Sequence, residues 1–179
     1  MFPEINTSRF LLRKIIASDQ IKIFEGLSHP DIIRHYGVSY STLESAQAQM
    51  DFYNDLLSTD TGTWWAICYK DNPAELIGAC GFNDWNKQHH HIEIGYWLLP
   101  AHQGKGIMSE CIPSITSHAF DHLKVHRIVA VVEDGNDSST KLLLRLGFNY
   151  EGTHRECEIK NGRYISLQYF ALLNNEKES

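Results

Sequence analysis

At 179 residues with a formal net charge of −6, the chain is long enough to enclose one hydrophobic core and too short to suggest two domains. Its 16 Lys and Arg against 22 Asp and Glu argue against a broad nucleic-acid-binding face, which needs surplus cations to displace counterions, yet leave room for a local pocket for one phosphorylated cofactor. No stretch approaches the ~18 apolar residues of a membrane span, and Met1 to Ser8 lacks a charged-then-apolar secretory pattern, so a cytoplasmic protein without membrane contact is expected.

The run Arg9 to Lys14 reads as a first strand. Ser18 and Asp19 offer cap oxygens for a short helix through about His29 that stops before Pro30. A second helix is marked by Ser41 and Glu44 at capping-box spacing and by Leu43, Ala46, Met50, Tyr53 and Leu57 at helical intervals. Three strands follow, Thr63 to Lys70, Glu75 to Asp84 and His91 to Leu99, rich in aromatic and branched residues and expected to pair as an antiparallel meander. After Pro100 the period becomes helical, with Met108, Cys111, Ile112, Ile115 and Ala119 on one face and Pro113 expected to kink it.

Arg127 to Val132 reads as a buried strand. Asn136 is a natural N-cap for a helix whose Leu142, Leu143 and Leu146 face inward and whose stop is Gly147. Phe148 to Ile159 and Tyr164 to Leu173 close the sheet around the turn Lys160-Asn161-Gly162, leaving Asn174 to Ser179 as a short tail. The order of elements predicts an α/β domain around a mixed sheet. Cys68, Cys80, Cys111 and Cys157 form no CxxC pair, so reduced and mostly buried thiols are expected.

The densest chemical signal is Leu98-Leu99-Pro100-Ala101-His102-Gln103-Gly104-Lys105-Gly106-Ile107-Met108, where a strand ends, two glycines follow and an amphipathic helix begins. Such a turn aims unpaired N–H groups and a positive helix end at an anion, and glycine lets phosphate oxygens approach closely. Ordinary strand-to-helix turns also use glycine. The Walker pattern GxxxxGK[ST] and the dinucleotide fingerprint GxGxxG are both absent.

This segment resembles the coenzyme-A signature of the GCN5-related N-acetyltransferase superfamily, Q/R-x-x-G-x-G/A, read as Gln103-Gly104-Lys105-Gly106-Ile107-Met108, with Met108 departing at the last position. The stretch Glu93 to Glu110 (EIGYWLLPAHQGKGIMSE) is similar to the branch containing the Rim-type acetyltransferases of ribosomal-protein N-termini. Glu133 to Ser139 running into LLRLGF, and Arg155 to Gly162, agree with that branch, so the resemblance spans roughly Thr7 to Leu173 of a single domain covering residues 1–179. It implies a mostly antiparallel central sheet flanked by helices and splayed between the fourth and fifth strands. Acetyl-CoA is the implied cosubstrate and direct transfer in a ternary complex the implied mechanism.

By the same resemblance, Trp97, Leu98 and Leu99 hold pantetheine and the thioester through their backbone. Gln103, Gly104, Lys105, Gly106, Ile107, Met108 and Ser109 hold the pyrophosphate. Many relatives place a Tyr acid where this chain has Leu143. The acid role therefore falls on Ser139 as proton donor or thiolate stabiliser, with Asn136 positioning pantetheine. Glu158, through water, is the implied base, and Glu93 on the central strand the alternative. Any of these polar residues could instead be a local cap or a solvated ion-pair partner.

His118, His122 and His126 at i, i+4 spacing and the cluster His89-His90-His91 raise zinc, but HExxH is absent and no acidic ligand is fixed nearby, so no metal is expected. Trp64, Trp65 and Trp85 read as core or cleft wall. The branch favours a peptide or protein α-amine as acceptor, and an α-amine is easier to deprotonate than a lysine. Alternatives are a small amine such as a polyamine or antibiotic, or a non-catalytic acyl-CoA sensor. The oligomeric state stays open, a homodimer included.

Overall fold

The structure is a computed structural model that describes residues 1–176. Of the expected tail, Asn174–Glu176 form one 3-10 turn, and the rest lies outside the described residues. The elements are β1 (Ile5–Asn6), β2 (Phe10–Lys14), α1 (Gln20–Leu27), α2 (Pro30–Ile33), α3 (Gln47–Thr59), β3 (Thr63–Tyr69), β4 (Gly78–Asn86), β5 (His91–Leu98), α4 (Ile107–Asp121), β6 (Arg127–Glu133), α5 (Asp137–Arg145), β7 (Asn149–Lys160) and β8 (Arg163–Leu173). Among the described residues no helix is long and apolar enough to cross a membrane.

The strands form one sheet in the order β1-β2-β3-β4-β5-β6-β8-β7. The meander of three strands appears as β3 to β5, every neighbour pair is antiparallel except β5 with β6, and β7 and β8 close the sheet around a two-residue turn. Asn161 and Gly162 take φ of 50° and 74° there, the left-handed pair that a right-twisted hairpin needs. The small strand β1 was not predicted, so the fourth and fifth expected strands are β5 and β6.

Alternation along the strands divides the core between two faces. Ile92, Ile94, Leu98, Ile128, Ala130 and Val132 pack under α4 and α5 with Ile107, Cys111, Ile112, Ile115 and Leu143. Trp64, Ala66, Cys68, Trp97 and Leu99 pack under α1 to α3 with Ile23, Leu27, Ile32, Met50, Tyr53 and Leu56. β6 is buried at alternate positions only, because Val129, Val131 and Glu133 face a part of the sheet that α1 to α3 do not cover. It is therefore not the fully buried strand its unbroken apolar run suggested.

Three local readings shift. Asp19 does not cap α1; its carboxylate takes both guanidinium nitrogens of buried Arg13 at 2.8 Å, so the charge is neutralised inside the core. Pro30 starts α2 instead of only ending α1, since its fixed φ suits a first helical position and the His29 ring accepts from the Asp31 N–H. The box expected at Ser41 and Glu44 is made one residue later by Thr42 and Ser45, each accepting the other's backbone N–H, and the helix itself begins at Gln47. Pro113 lies inside α4, and Cys157 is the one exposed thiol among four free cysteines.

Candidate active site

Parallel pairing of β5 with β6 runs only from His91 with Arg127 to Ile94 with Ala130. Both strands continue, to Leu98 and Glu133, without further pairing between them, so the sheet opens there. A cleft of about 530 Å³ fills the opening. Gly95, Tyr96, Trp97 and Leu98 form one wall and Ala130, Val131 and Val132 the other. Tyr96 and Leu98 belong to the α4 and α5 side of the sheet, and Gly95 and Trp97 to the α1 to α3 side. The cleft thus connects the two faces.

On the first face the cleft ends at the glycine turn. Gly104 and Gly106 have φ of 72° and 71°, a left-handed conformation that a side chain makes costly, and no atom lies within 4 Å of a Cβ built on Gly104. Gly106 is the N-cap of α4 and brings no side chain to its first-turn N–H groups. Ile107, Met108 and Ser109 therefore present unpaired donors and the positive helix end to the cleft they line. The Gln103 amide ties the turn to the strand by donating to the Leu98 carbonyl at 3.2 Å. Arg9 donates to the Lys105 carbonyl at 3.2 Å and pairs with Glu110 at 2.7 Å, fastening the turn to the first strands. This donor set, with an open approach over glycine, fits a pyrophosphate.

In the opening itself, the Asn136 side chain accepts the Ser139 N–H at 3.4 Å and holds the first turn of α5. The Ser139 hydroxyl then lies 2.5 Å from the Tyr96 hydroxyl. Burial pushes the Tyr96 phenol up to about 12, while the hydrogen bond to Ser139 draws it down, so near neutral pH the phenol keeps its proton. The residue seven positions beyond Asn136, Leu143, is fully buried in the core. The Leu143 position thus has no phenol, but β5 brings one to Ser139 from 43 residues away, a contact that local reading of α5 does not reveal. The period-two pattern of IEIGYWLL was the available signal, since it sets Tyr96 on the same face as Ile92, Ile94 and Leu98.

The cleft brings together Trp97, Leu98, Gln103, Gly104, Gly106, Ile107, Met108, Ser109, Asn136 and Ser139 from the expected set. Leu99 is buried in the other core layer, and Lys105 is exposed at the turn. Glu93 and Glu158 do not line it either. They belong to the sheet surface left open beside α1 to α3: Glu93 is half-buried on β5, and Glu158 is exposed on β7. Burial, with Asp84 adding repulsion, raises the Glu93 carboxyl. Burial also raises Tyr169, with Cys157, Glu93 and Glu158 adding to the shift, which places both carboxylates within electrostatic reach of one phenol. Asp31, Ile32, His35 and Tyr36 close the cleft on this face, and Arg145 reaches it from α5; none of these was anticipated.

The histidine groups divide between one packed ring and a solvated turn. His118 stands edge-on to Trp65 and beside His122, while His89 and His90 are exposed in the β4–β5 turn. Among the described residues no group of three or more His, Cys, Asp or Glu side chains is placed to hold a metal ion. Trp64 and Trp65 are buried in the core.

Residues 9–149 match the family model described as an acetyltransferase (GNAT) domain. The chain is 36% identical over 174 residues to the uncharacterized N-acetyltransferase YoaA of Bacillus subtilis, covering 97% of this chain and 98% of that one. It is 34% identical over 97 residues to the ribosomal-protein-serine acetyltransferase of Escherichia coli, 54% of each chain. The fold is shared with the spermidine N-acetyltransferase of Vibrio cholerae solved with CoA and spermine, at a TM-score of 0.84 and 22% identity over 96% of this chain and 99% of that one.

Proposed function

We propose that this chain, which belongs to the GNAT acetyltransferase family and is an N-acetyltransferase, acts as one domain that takes acetyl from acetyl-CoA and delivers it to the α-amine of a peptide or protein N-terminus. The observation that carries the reading is a cleft with an uncapped helix N-terminus at one end and a half-buried hydroxyl pair in the sheet opening. Pyrophosphate would rest on the Gln103 to Ser109 turn, and pantetheine would run along Trp97 and Leu98 past Asn136. The thioester would then lie in the opening beside Ser139.

Coenzyme A supplies the activated acyl group as a thioester. The protein's part is positional and electrostatic. Backbone N–H groups beside the opening stabilise charge on the carbonyl oxygen as the amine adds. Ser139, backed by the protonated Tyr96, donates to the departing sulfur. Glu93 and Glu158 give the acceptor face a negative potential that draws an ammonium group towards the opening. They are proposed as attracting charges there.

A peptide acceptor is favoured by the similarity to the ribosomal-protein enzyme, while the shared fold with a spermidine enzyme supports a polyamine as the second reading. Acetyl-CoA-dependent release of free thiol is to be compared for short peptides with free α-amines and for spermidine. Higher kcat/KM on the peptides is expected; a clear preference for spermidine reverses the acceptor class. Binding of acetyl-CoA without acetylation of either acceptor would instead favour the sensor reading.

A further inference from the structure

On the acceptor side of the opening, the segment after α2 is held down by the β7–β8 hairpin. The Lys160 ammonium donates to the Arg34 carbonyl at 2.8 Å and to Glu133 Oε2 at 2.7 Å, joining three separate parts of the chain. The other Glu133 oxygen lies 3.7 Å from His35 Nδ1, within ion-pair range and beyond a hydrogen bond. That nitrogen is buried and has no hydrogen-bond partner among the described residues, although the ring lines the cleft. A buried imidazole nitrogen beside a fixed carboxylate, at the wall of a reaction cleft, is an arrangement for moving a proton.

We propose that His35, oriented by Glu133, is the base that takes the proton from the acceptor amine. The inference rests on the acetyltransferase reading above. Glu133 favours the tautomer with hydrogen on Nδ1, which leaves Nε2 with its lone pair free to accept. Lys160 holds the Glu133 carboxylate in place. The titratable and charged groups around the ring are Asp31 and Tyr36 on its own segment, Glu133 on β6 and Lys160 on β7, with Arg145 and Tyr96 on the cleft's other walls.

The acceptor arrives as ammonium, and His35 Nε2 takes one of its protons. The freed nitrogen pair forms the C–N bond at the acetyl carbonyl, whose π pair moves to oxygen and returns as the C–S bond breaks. The bonding pair leaves on sulfur, which takes a proton from the Ser139–Tyr96 pair. The second proton lost by nitrogen, passing through water, restores that pair. His35 returns its proton to solvent. Base and acid thus stand on opposite faces of the sheet, and the opening between β5 and β6 is the passage through which they meet one acyl carbon.

The test compares wild type, His35→Gln, His35→Ala and Glu133→Gln from acidic to alkaline pH, with a short free-amine peptide and spermidine as acceptors and acetyl-CoA affinity followed by calorimetry. We expect His35→Gln to bind acetyl-CoA as wild type does, lose roughly 10²–10⁴ in kcat/KM, and lose the acidic limb of the profile. Added imidazole should restore part of the rate to His35→Ala. Glu133→Gln, as a positioning change, should lower kcat with KM held. A His35→Gln enzyme that keeps its turnover and acidic limb overturns the assignment and leaves the acetyltransferase intact. Wild type that binds acetyl-CoA and acetylates neither acceptor overturns both readings together.

Discussion

The Tyr96 hydroxyl stands 2.5 Å from the Ser139 hydroxyl, joining the central strand to the first turn of α5 at the point where β5 and β6 part. Because burial raises the phenol to about 12, it keeps its proton at neutral pH and can donate to Ser139, which leaves the Ser139 hydrogen free to point into the cleft. Tyr96→Phe and Ser139→Ala should each lower kcat while sparing acetyl-CoA affinity, with Ser139→Ala the larger loss, roughly 10²-fold or more. The double variant should be little worse than Ser139→Ala, since the two act as one unit. Additive losses in steady-state rates would show that they work separately.

The glycine turn should fail in a different way. Gly106→Val puts a branched side chain at φ of 71°, in a region that costs an L residue roughly 1–2 kcal/mol, at the cap whose N–H groups face the cleft. Acetyl-CoA affinity, measured by calorimetry, should fall at least about tenfold, the equivalent of ~1.4 kcal/mol. The fold should survive, because the nearest atom to the new Cβ is the Arg9 guanidinium at 3.8 Å. Unchanged affinity in a folded variant would move the pyrophosphate elsewhere.

These two parts of the site were unequally legible. Gln103 to Ser109 is local: strand end, glycines and helix start are contiguous, so turn chemistry alone locates it. Tyr96 and His35 acquire their meaning from partners on other elements. Tyr96 looked like one more aromatic in a strand. His35 followed a proline read only as a helix end, although Pro30 also begins α2 and carries the chain over the cleft. The strands were legible for the same reason as the turn, since a period of two is a property of neighbours. Asp19 shows the opposite case: its cap-like position was visible, but its partner, Arg13 on β2, was decided by where the turn before α1 meets that strand.

The Glu93 carboxyl gives a stability prediction with a definite sign. Its pKa is raised in the folded protein, first by burial and then by Asp84, so the native state holds that proton more tightly than the unfolded chain does. Its contribution is therefore present below the ordinary carboxylate range and is lost as pH rises through the raised folded value. Glu93→Gln should be more stable than wild type at neutral pH, with the difference vanishing in acid. Denaturant titrations at the two pH values check this. A destabilised Glu93→Gln at neutral pH would mean that the carboxylate has a stabilising partner in the fold.

The pair formed by Arg13 and Asp19 should dominate the response of the fold to charge removal. Both side chains are buried, two hydrogen bonds of 2.8 Å join them, and the Arg13 guanidinium also donates to the Pro73 carbonyl at 2.8 Å. Asp19→Ala leaves that guanidinium charged in the interior with no carboxylate partner, for which the expected cost is about 3–5 kcal/mol. Little of it should depend on salt, because buried charges are poorly screened. The damage should also reach the cleft: Asp19 holds the turn that leads into α1 by accepting the Ile16 N–H, and a Cβ at Gly26 of that helix would lie only 2.3 Å from the Trp97 ring, so α1 cannot shift without moving a wall residue. Replacing both partners, as Arg13→Met with Asp19→Leu, removes the stranded charge and should recover most of the stability in denaturant melts. If Asp19→Ala costs less than about 1 kcal/mol, the magnitude typical of an exposed pair, water reaches the guanidinium and α1 is anchored by its apolar face alone.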